Sequence, residues 1–234
     1  MYFKKEISIV VPVHNEERIL KKQVESLCRD VSENVSQDFE IILVENGSRD
    51  RTIDVAREIA RKNNSVKVLT LKPANYGMAV REGMLQSTGK YIFQFDIDYW
   101  DINFSRMCFA LLSFDYDMII GTKNSSLSID RRDLLRRFIS QVFRLFLHIL
   151  FKLRVSDTHG IKFWRNSDRL RKIIAECRPA NHMFDTELVI KVQYAGFNLM
   201  ELPVEIRELR KSSIPIIARI PTAIKELIEL WFNV

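Results

Sequence analysis

The sequence predicts an α/β protein built on a mostly parallel sheet with helices on both faces. In the first 122 residues, short apolar runs rich in β-branched side chains alternate with segments of helical spacing. The runs are apolar throughout rather than at every second residue, which is typical of strands buried on both faces. Strands that alternate with helices predict crossover connections and therefore parallel pairing.

The elements of this first part are predicted one by one from these patterns. The strands are the continuous apolar runs Ile7–Val13, Phe39–Val44, Val66–Leu71, Tyr91–Phe95 and Met118–Ile120. The helices show apolar residues at spacings of three and four, over Glu16–Val31, from Ile53 to Ala60, over Met78–Gln86 and over Phe104–Leu112. Asp50 is a suitable N-cap for the second of these helices.

The second part of the chain has fewer strand signals and a different character. A long helix rich in Phe, Leu and Ile is predicted over Asp133–Lys152, and a last amphipathic helix is predicted to begin at Pro221. The other predicted elements are a strand at Ile161–Phe163, a helix at Phe184–Tyr194 and a strand at Leu199–Ile206. No linker or internal repeat interrupts the chain, so we predict a single domain over residues 1–234.

Composition excludes several classes of protein. The 36 Lys and Arg against 30 Asp and Glu give a net charge of +6 (36 − 30), and no pattern of interleaved aromatic and basic residues accompanies it, so no nucleic-acid partner is expected. Cys28, Cys108 and Cys177 are far apart, which argues against a disulfide framework or a zinc site. No signal pattern and no apolar run of about 18–20 residues is present, so we expect neither secretion nor a membrane span.

Three polar clusters follow predicted strands: Pro12–Glu16, Glu45–Ser48 and Asp96–Asp98. Ligands of open parallel sheets bind beyond the carboxyl ends of the strands. We therefore expect the three clusters to meet at one edge of the sheet. Taken alone, each has a simpler interpretation, as turn residues, helix caps or solvated loop carboxylates.

The Asp96-Ile97-Asp98 triplet is the strongest chemical signal. Two carboxylates with one residue between them, at the end of a strand, can bind one divalent cation. Mg²⁺ and Mn²⁺ prefer oxygen ligands and often complete their shell with substrate phosphates. Glu45 and Asn46, at the end of an earlier strand, have side chains suited to contacting a nucleobase or a ribose.

In this order and spacing the clusters resemble the inverting family 2 glycosyltransferases, as does the segment from Asn75 to Gly83. Later segments are similar to the polyprenyl-phosphate hexose synthases, which include dolichol-phosphate mannose synthase and dolichyl-phosphate glucosyltransferase: Gly121–Lys123, Arg136–Ser140, Asp157–Arg165, Phe184–Leu188 and Glu201–Val204. The resemblance implies a GT-A-like, Rossmann-related fold with amphipathic interface helices in the C-terminal half. It also implies a nucleotide-sugar-binding half, 1–122, and an acceptor-binding, membrane-facing half, 123–234.

The resemblance implies a role for each matching residue. Those expected to bind the nucleotide sugar are Pro12, His14, Glu16, Glu45, Asn46, Asp96, Ile97, Asp98 and Arg207. The metal, Mg²⁺ or Mn²⁺, is expected on Asp96 and Asp98, and the acceptor phosphate on Lys123, Arg136 and Ser140. Asp98 and Arg136 are the expected catalytic residues. Relatives place a third metal ligand near the position of Trp100, where Asp101 or water is expected to substitute.

The implied reaction is transfer of a hexose from GDP-mannose or UDP-glucose to a polyprenyl (dolichyl) phosphate, with inversion. Ser140, Arg144, His148 and Lys152 form a polar stripe on the long apolar helix, in a strongly basic neighbourhood. Such a helix suits either a protein core or a membrane surface. The resemblance favours the surface, and predicts a peripheral protein at the cytoplasmic face of a membrane.

Three other functions stay open at this stage. A family 2 transferase with a hydroxyl acceptor would need a general base, for which Asp185 and Glu187 are candidates. A nucleotidyltransferase would also use paired carboxylates, but the sequence lacks the glycine-rich N-terminal loop with a following Arg-Lys. A peripheral membrane-binding module without catalysis would leave Asp96 and Asp98 without a role.

Overall fold

The computed structural model describes residues 3–122, 134–178, 183–204 and 225–232, and of residues 134–140 the backbone alone. Its strands are β1 (Lys5–Val13), β2 (Phe39–Asn46), β3 (Val66–Leu71), β4 (Gly89–Gln94), β5 (Met118–Thr122), β6 (Lys162–Arg165) and β7 (Leu199–Pro203). Its helices are α1 (Leu20–Asn34), α2 (Thr52–Lys62), α3 (Tyr76–Gln86), α4 (Ile102–Ala110), α5 (Leu134–Phe151), α6 (Asp168–Glu176) and α7 (Met183–Tyr194), with a last helical segment at 225–231.

The seven strands form one sheet in the order β3-β2-β1-β4-β6-β5-β7. Strand β6 is antiparallel to both of its neighbours, and the other pairs are parallel. The predicted mostly parallel sheet is therefore confirmed, although the antiparallel direction of β6 was not predicted. The direction of a strand as short as Lys162–Arg165 cannot be read from its sequence, because it depends on which neighbour the strand pairs with.

Successive strand residues point to opposite faces of the sheet, and each face has its own core. In β1, Val10 packs with α3, α6 and α7, whereas Ile9 and Val11 pack with α1, α2 and α4. Both sets of side chains are almost fully buried. This burial explains why the strands are apolar at every position rather than alternating.

Several element boundaries differ from those predicted. Helix α1 begins at Leu20 rather than Glu16. The N–H groups of Glu16 and Glu17, which precede it, donate to Thr52 Oγ1 at the start of α2 (2.7 Å) and to Asp50 Oδ2 in the loop before α2 (3.2 Å). The same Asp50 carboxylate accepts from the N–H of Thr52, the first residue of α2 (3.0 Å). These contacts tie residues 16 and 17 to the start of α2, and the chain enters α1 through a turn in which the N–H of Leu20 donates to the carbonyl of Glu16 (2.9 Å).

Helix α6 was missed, although its signal is present in the sequence. Ser167 Oγ accepts from the N–H of Leu170 (3.1 Å), and Leu170, Ile173 and Ile174 are buried at helical spacing. Strand β7 ends at Pro203, earlier than predicted, and residue 206 lies outside the described residues.

Helix α5 combines a buried and an exposed apolar surface. Leu147 and Phe151 are buried in the core, while Leu145, Phe146 and Ile149 are 57%, 52% and 64% exposed. The predicted polar stripe is shorter than expected, since the helix ends at Phe151 and Lys152 follows with a positive φ of 49°. Among the described residues, no helix has both the length and the apolar character needed to cross a bilayer.

The last helical segment, residues 225–231, packs beside α5. Leu227 and Leu230 are buried, and the ring of Trp231 contacts that of Phe151 edge to face with centroids 5.6 Å apart. Ile228 and Trp231 are each about half exposed, at 53% and 50%. The predicted apolar face is therefore partly buried in the core and partly exposed at the surface. The first residues of the predicted helix, 221–224, lie outside the described residues.

Candidate active site

The three polar clusters lie at one edge of the sheet, as predicted. Strands β1, β2 and β4 are parallel neighbours, with Val13 opposite Glu45, and the N–H of Phe95 donates to the carbonyl of Val10. Pro12–Glu16, Glu45–Ser48 and Asp96–Asp98 therefore all lie at or just after the carboxyl ends of adjacent strands. This is the position where open parallel sheets bind ligands.

An open cleft of about 580 Å³ lies over the ends of β1, β2 and β3. Its lining residues come from the three loops that follow these strands: His14, Asn15, Gly47, Arg49, Lys72, Pro73 and Ala74. Of these, only His14 was predicted as a site residue. Lys72, Pro73 and Ala74 were missed because the strand-end rule was applied to polar clusters and the loop after β3 is not one. Arg49 and Lys72 place two cationic side chains at a cleft suited to an anionic nucleotide.

His14 is held by a hydrogen-bonded chain that also determines its tautomer. Its Nδ1 lies 2.8 Å from the carbonyl oxygen of Asn46, which can only accept, so Nδ1 carries the proton. Its Nε2 then accepts from Asn15 Nδ2 (2.9 Å), and Asn15 Oδ1 accepts from the N–H of Arg49 (2.8 Å). Asn15 has a φ of 57°, a left-handed conformation that asparagine tolerates better than most residues. The ring is thus oriented by two loops at once.

The side chains of Glu45 and Asn46 organise the loops around the cleft. Glu45 is 2% exposed and accepts from the N–H of Ser48 (2.5 Å). Asn46 is 7% exposed, and its Oδ1 accepts from the N–H of Asn75 (2.6 Å). Asn75 in turn caps α3 by accepting from the N–H of Met78 (2.9 Å). These hydrogen bonds give both residues a role in shaping the cleft; direct contact with a base or ribose stays a prediction.

The Asp96–Asp98 segment forms a turn directly after β4. The backbone of Asp96 bridges to Tyr99, and the N–H of Tyr99 donates to the carbonyl of Asp96 (3.2 Å). Ile97 is 4% exposed and anchors the turn in the core, whereas Asp96 is exposed and Asp98 half-buried. The buried isoleucine therefore presents the two flanking carboxylates at the open edge of the sheet.

The neighbours of this turn have structural contacts of their own. Trp100 Nε1 donates to Asp30 Oδ2 on α1 (3.1 Å). Asp101, the expected substitute for a third ligand, caps α4, with Oδ1 accepting from the N–H of Phe104 (3.0 Å). No group of three or more His, Cys, Asp or Glu side chains with metal-binding geometry occurs among the described residues. Two hard carboxylates fit a cation whose remaining ligands are phosphate and water oxygens.

A buried polar cluster lies beside the turn and comprises Gln94, Lys162, Asp185 and Tyr76. Asp185 Oδ1 accepts from Gln94 Nε2 (2.7 Å) and Lys162 Nζ (3.0 Å), and Oδ2 accepts from the Tyr76 hydroxyl (3.2 Å). Burial alone would raise the pKa of Asp185, but the positive charges of Lys162 and His159 and the hydrogen bonds lower it. Asp185 is therefore held as a carboxylate.

The pKa of Tyr76 is shifted in the opposite direction, upward, by the same surroundings. Burial, followed by the negative charges of Asp185 and then Asp96, raises the pKa of its hydroxyl well above the ordinary value. The hydroxyl therefore stays protonated and donates a hydrogen bond to Asp185. Neither Gln94, Lys162 nor Tyr76 was predicted as a site residue, because their partners come from distant parts of the chain.

The two carboxylates considered as a general base are both engaged in ion pairs. Asp185 is 1% exposed and pairs with the fully buried Lys162. Glu187 is 3% exposed, lies 2.7 Å from Lys191 Nζ and accepts from the N–H of Arg178. A general base must reach the proton that it removes, so this burial does not favour either residue in that role.

The acceptor residues lie largely outside the described part of the chain. Lys123 is in this category, as are the side chains of Arg136 and Ser140, whose backbone belongs to α5; Arg207, expected on the donor side, also lies outside the described residues. Of the donor-side residues, Pro12 and Glu16 are half-buried at the end of β1 and in the following loop. The structure thus brings the described donor-side positions to one edge of the sheet, and the roles of Arg207 and of the acceptor residues stay predictions.

The fold is that of the GT-A glycosyltransferases. Glucosyl-3-phosphoglycerate synthase from Mycobacterium tuberculosis, solved with Mn²⁺, UDP and glucosyl-3-phosphoglycerate, matches with a TM-score of 0.68 and 16% identity, over 97% of this chain and 78% of that one. S. aureus TarS 1-349 in complex with UDP matches with a TM-score of 0.61 and 17% identity, over 97% and 64%.

The sequence comparisons define the family. Residues 8–176 match the family described as glycosyl transferase family 2, and the chain belongs to that family. A dolichyl-phosphate beta-glucosyltransferase of Trichomonas vaginalis is 26% identical, over 93% of this chain and 71% of its own length. One of Dictyostelium discoideum is 25% identical, over 97% and 74%. The family and the polyprenyl-phosphate synthase resemblance predicted from the sequence are confirmed, and the protein is a glycosyltransferase.

Proposed function

We propose that this enzyme transfers a hexose from a nucleotide sugar to a polyprenyl phosphate, with inversion at the anomeric carbon. The observation that carries the proposal is the burial of Asp185 and Glu187 in ion pairs. A hydroxyl acceptor needs a base to remove its proton, whereas a phosphate monoester has a second pKa of about 6 and is already ionised near neutral pH. A site without an accessible carboxylate at these positions suits the phosphate.

The relatives support the same acceptor class. Dolichyl-phosphate glucosyltransferases match over nearly the whole chain, including its second half. An undecaprenyl-phosphate 4-deoxy-4-formamido-L-arabinose transferase of Pseudomonas paraeruginosa is 34% identical over 97 residues, 39% of this chain. Both are named for a sugar on a polyprenyl phosphate. The glucosyl names favour a glucose donor over mannose, so UDP-glucose is the first donor to test and GDP-mannose the second.

The donor half divides into a cleft for the nucleotide and a turn for its diphosphate. Arg49 and Lys72 are cations at the cleft, and His14 is oriented toward it by Asn15 and Asn46. Asp96 and Asp98 would hold Mg²⁺ or Mn²⁺, which would neutralise the charge that develops on the departing nucleoside diphosphate. The chain itself contributes mainly positioning of donor and acceptor, through loops held by hydrogen bonds between strands.

Acceptor binding is assigned to cations of the second half. Lys123, Arg136 and Ser140 are proposed to bind the lipid phosphate, and Arg207 to approach the donor diphosphate. Arginine suits this role because its planar guanidinium matches phosphate with two parallel hydrogen bonds. Arg136 lies in the first turns of α5, the helix that also has the exposed apolar surface.

That apolar surface is proposed to contact the membrane that contains the lipid acceptor. It comprises residues of α5 and of the last helical segment: Leu145, Phe146, Ile149, Ile228, Trp231 and Phe232. Exposed apolar patches of this kind mark interaction surfaces, and the basic residues of the neighbouring sequence would attract anionic headgroups. The arrangement fits a protein bound at the surface of a bilayer, which for this reaction we place on the cytoplasmic face.

The experiment that tests the proposed reaction compares acceptors. Purified protein is given UDP-glucose or GDP-mannose with Mn²⁺ or Mg²⁺, and either a polyprenyl phosphate in detergent or a soluble sugar acceptor. We expect a glycosylated lipid phosphate and release of the nucleoside diphosphate. Transfer to the sugar hydroxyl alone would reject the lipid acceptor, and release of pyrophosphate would reject glycosyl transfer in favour of nucleotidyl transfer.

A further inference from the structure

The buried cluster of Gln94, Lys162, Asp185 and Tyr76 joins three parts of the site. Gln94 is the last residue of β4, two residues before Asp96. Tyr76 begins α3 directly after the loop that lines the nucleotide cleft. Lys162 begins β6 and Asp185 lies on α7, both in the second half of the chain. The Asp185 carboxylate therefore links the cleft, the Asp96–Asp98 turn (the metal turn) and the second half of the chain, to which acceptor binding is assigned.

Gln94 shares a side of the sheet with Asp96. Side chains alternate along a strand, and Phe93 and Phe95 both pack into the core on the α1, α2 and α4 side. Gln94 points to the other side, where it meets Asp185, and Asp96 follows it there. The influence of the Asp96 charge on the pKa of Tyr76 is consistent with this placement. Fixing the Gln94 amide therefore fixes the end of the strand from which the metal turn begins.

The hydrogen bonds of Gln94 indicate that position, not stability, is what the residue provides. Its Nε2 donates to Asp185 Oδ1 and lies 3.4 Å from the Tyr76 hydroxyl, so the amide cannot be reversed without placing Oε1 against a carboxylate. Oε1 is then buried without a hydrogen-bond partner among the described residues. An unsatisfied buried acceptor destabilises the fold and offsets part of what the hydrogen bond from Gln94 to Asp185 contributes.

The ion pair between Lys162 and Asp185 also contributes more to position than to stability. Lys162 and Asp185 have side-chain exposures of 0% and 2%, and Lys162 also donates to the carbonyl of Gly160 (3.0 Å). Desolvation makes such a pair a weak source of stability, and apolar replacement of both partners is often neutral. The β4–β6 register places Lys162 directly opposite Gln94, so the pair can hold the strand end from across the sheet.

We propose that Lys162 and Asp185, acting through Gln94 and Tyr76, are positioning residues that set the orientation of Asp96 and the metal turn. The proposal rests on the metal role assigned above to Asp96 and Asp98. None of the four residues needs to touch the substrate. Outer-shell residues that orient metal ligands typically contribute 10–100-fold to metal affinity, which sets the size of the expected effect at about tenfold.

The test measures Mn²⁺ binding rather than turnover. Free Mn²⁺ is titrated by electron paramagnetic resonance in the presence of UDP, or of GDP if the wild type binds that nucleotide instead. The double variant Lys162→Met/Asp185→Leu removes the ion pair without leaving a buried charge, and Tyr76→Phe removes one hydroxyl. We expect the double variant to bind Mn²⁺ about tenfold more weakly. Tyr76→Phe is expected to weaken Mn²⁺ binding by less. If the double variant does not fold, the Mn²⁺ affinity of Tyr76→Phe alone decides the test.

Glu40→Gln is the matched control. Glu40 is an equally buried carboxylate, 1% exposed, which accepts from Ser8, Lys67 and Thr88 at the opposite end of the strands. It should lower thermal stability and leave Mn²⁺ affinity unchanged. Wild-type affinity in both test variants, or an equal loss in Glu40→Gln, would overturn the proposal.

The outcomes also separate this inference from the proposed reaction. A wild-type protein that binds Mn²⁺ and nucleotide but transfers no sugar to polyprenyl phosphate would reject the reaction, while the Mn²⁺ affinities would still decide the positioning role. A wild-type protein that binds no Mn²⁺ with any nucleotide would reject the metal assignment and this inference together.

Discussion

Gly47 and Ala74 approach so closely that a β-carbon on Gly47 would lie 3.0 Å from the backbone nitrogen of Ala74. Gly47 follows β2, Ala74 lies in the loop after β3, and both line the cleft proposed to bind the nucleotide. Gly47 also has a φ of 65°, in the left-handed region that costs other residues roughly 1–2 kcal/mol. Two independent constraints therefore require glycine where these loops meet.

The first prediction concerns this contact. Gly47→Ala should lower the free energy of unfolding by about 1–2 kcal/mol and weaken nucleotide binding, because the loop after β3 must move away from the cleft. Gly196→Ala is the control: its φ is 75°, but a β-carbon there would meet nothing within 4 Å. Both variants should lose stability in thermal denaturation, and only Gly47→Ala should lose nucleotide affinity in calorimetry. Equal nucleotide affinity in the two would contradict the prediction.

The second prediction concerns the metal turn. Asp98→Ala should abolish metal-dependent transfer, since a bound cation contributes several kcal/mol to leaving-group stabilisation, at least about a hundredfold in rate. The fold should persist, because Asp98 is half-buried at the sheet edge while Ile97 anchors the turn.

Asp101→Asn is a control for this variant three residues along the chain. Asp101 caps α4 through its Oδ1, and asparagine is an equally good cap. Transfer and Mn²⁺ dependence should be close to those of the wild type. A large loss of metal affinity in Asp101→Asn would instead identify Asp101 as the third ligand.

The third prediction is a pH dependence of stability. Burial would raise the pKa of Glu40, but hydrogen bonds from Lys67, Ser8 and Thr88 outweigh burial and lower it. A carboxylate with a lowered folded-state pKa stabilises the fold above its ordinary pKa of about 4.3, and this contribution disappears as the pH falls through the lower folded-state value.

Thermal denaturation of the wild type and Glu40→Gln at several pH values tests that sign. The difference in Tm should be largest near neutral pH and should shrink below about pH 4, where the wild-type carboxyl becomes protonated. A difference that grows in acid would show that the folded-state pKa of Glu40 is raised.

The fourth prediction concerns the membrane surface. Phe232 is 80% exposed at the end of the last helical segment, and Phe114 is 61% exposed on the turn Leu112–Phe114 after α4. Phe232→Glu should weaken sedimentation with anionic liposomes at low salt by about tenfold, since burying one aromatic side chain contributes about 1.5–3 kcal/mol. Phe114→Glu should bind as the wild type does. Liposome binding reduced equally by both, or absent in the wild type, would reject the assigned surface.

The fifth prediction concerns the acceptor phosphate. Arg136→Ala should raise the KM for polyprenyl phosphate by at least about tenfold, because an arginine–phosphate pair is a charge-assisted hydrogen bond of about 1.5–3 kcal/mol. The affinity for the nucleotide sugar should change little. Arg106→Ala, at an exposed position of α4, is the control. A loss of donor affinity in Arg136→Ala without a change in acceptor KM would reassign the residue to the donor diphosphate.

Much of the fold followed from local patterns. Continuous apolar runs predicted five parallel-type strands, and the polar residues after three of them predicted the edge where the site lies. These inferences succeed because strand burial and the position of polar residues at strand ends can both be read from a few neighbouring residues. Helix α6 was also readable from Ser167 and the spacing of Leu170 and Ile173, and was overlooked.

Tertiary structure decided the features that depend on distant partners. The antiparallel direction of β6 is set by its pairing with β4 and β5, and the segment before α1 is tied by hydrogen bonds to Thr52 in α2 and to Asp50 just before it. The sequence by itself determined the family and the Asp96–Asp98 turn, because local motifs specify them. Only the folded chain determined that Asp185 meets Lys162, Gln94 and Tyr76, since its hydrogen-bond donors come from three separate elements, β6, β4 and α3, that are far apart in the sequence.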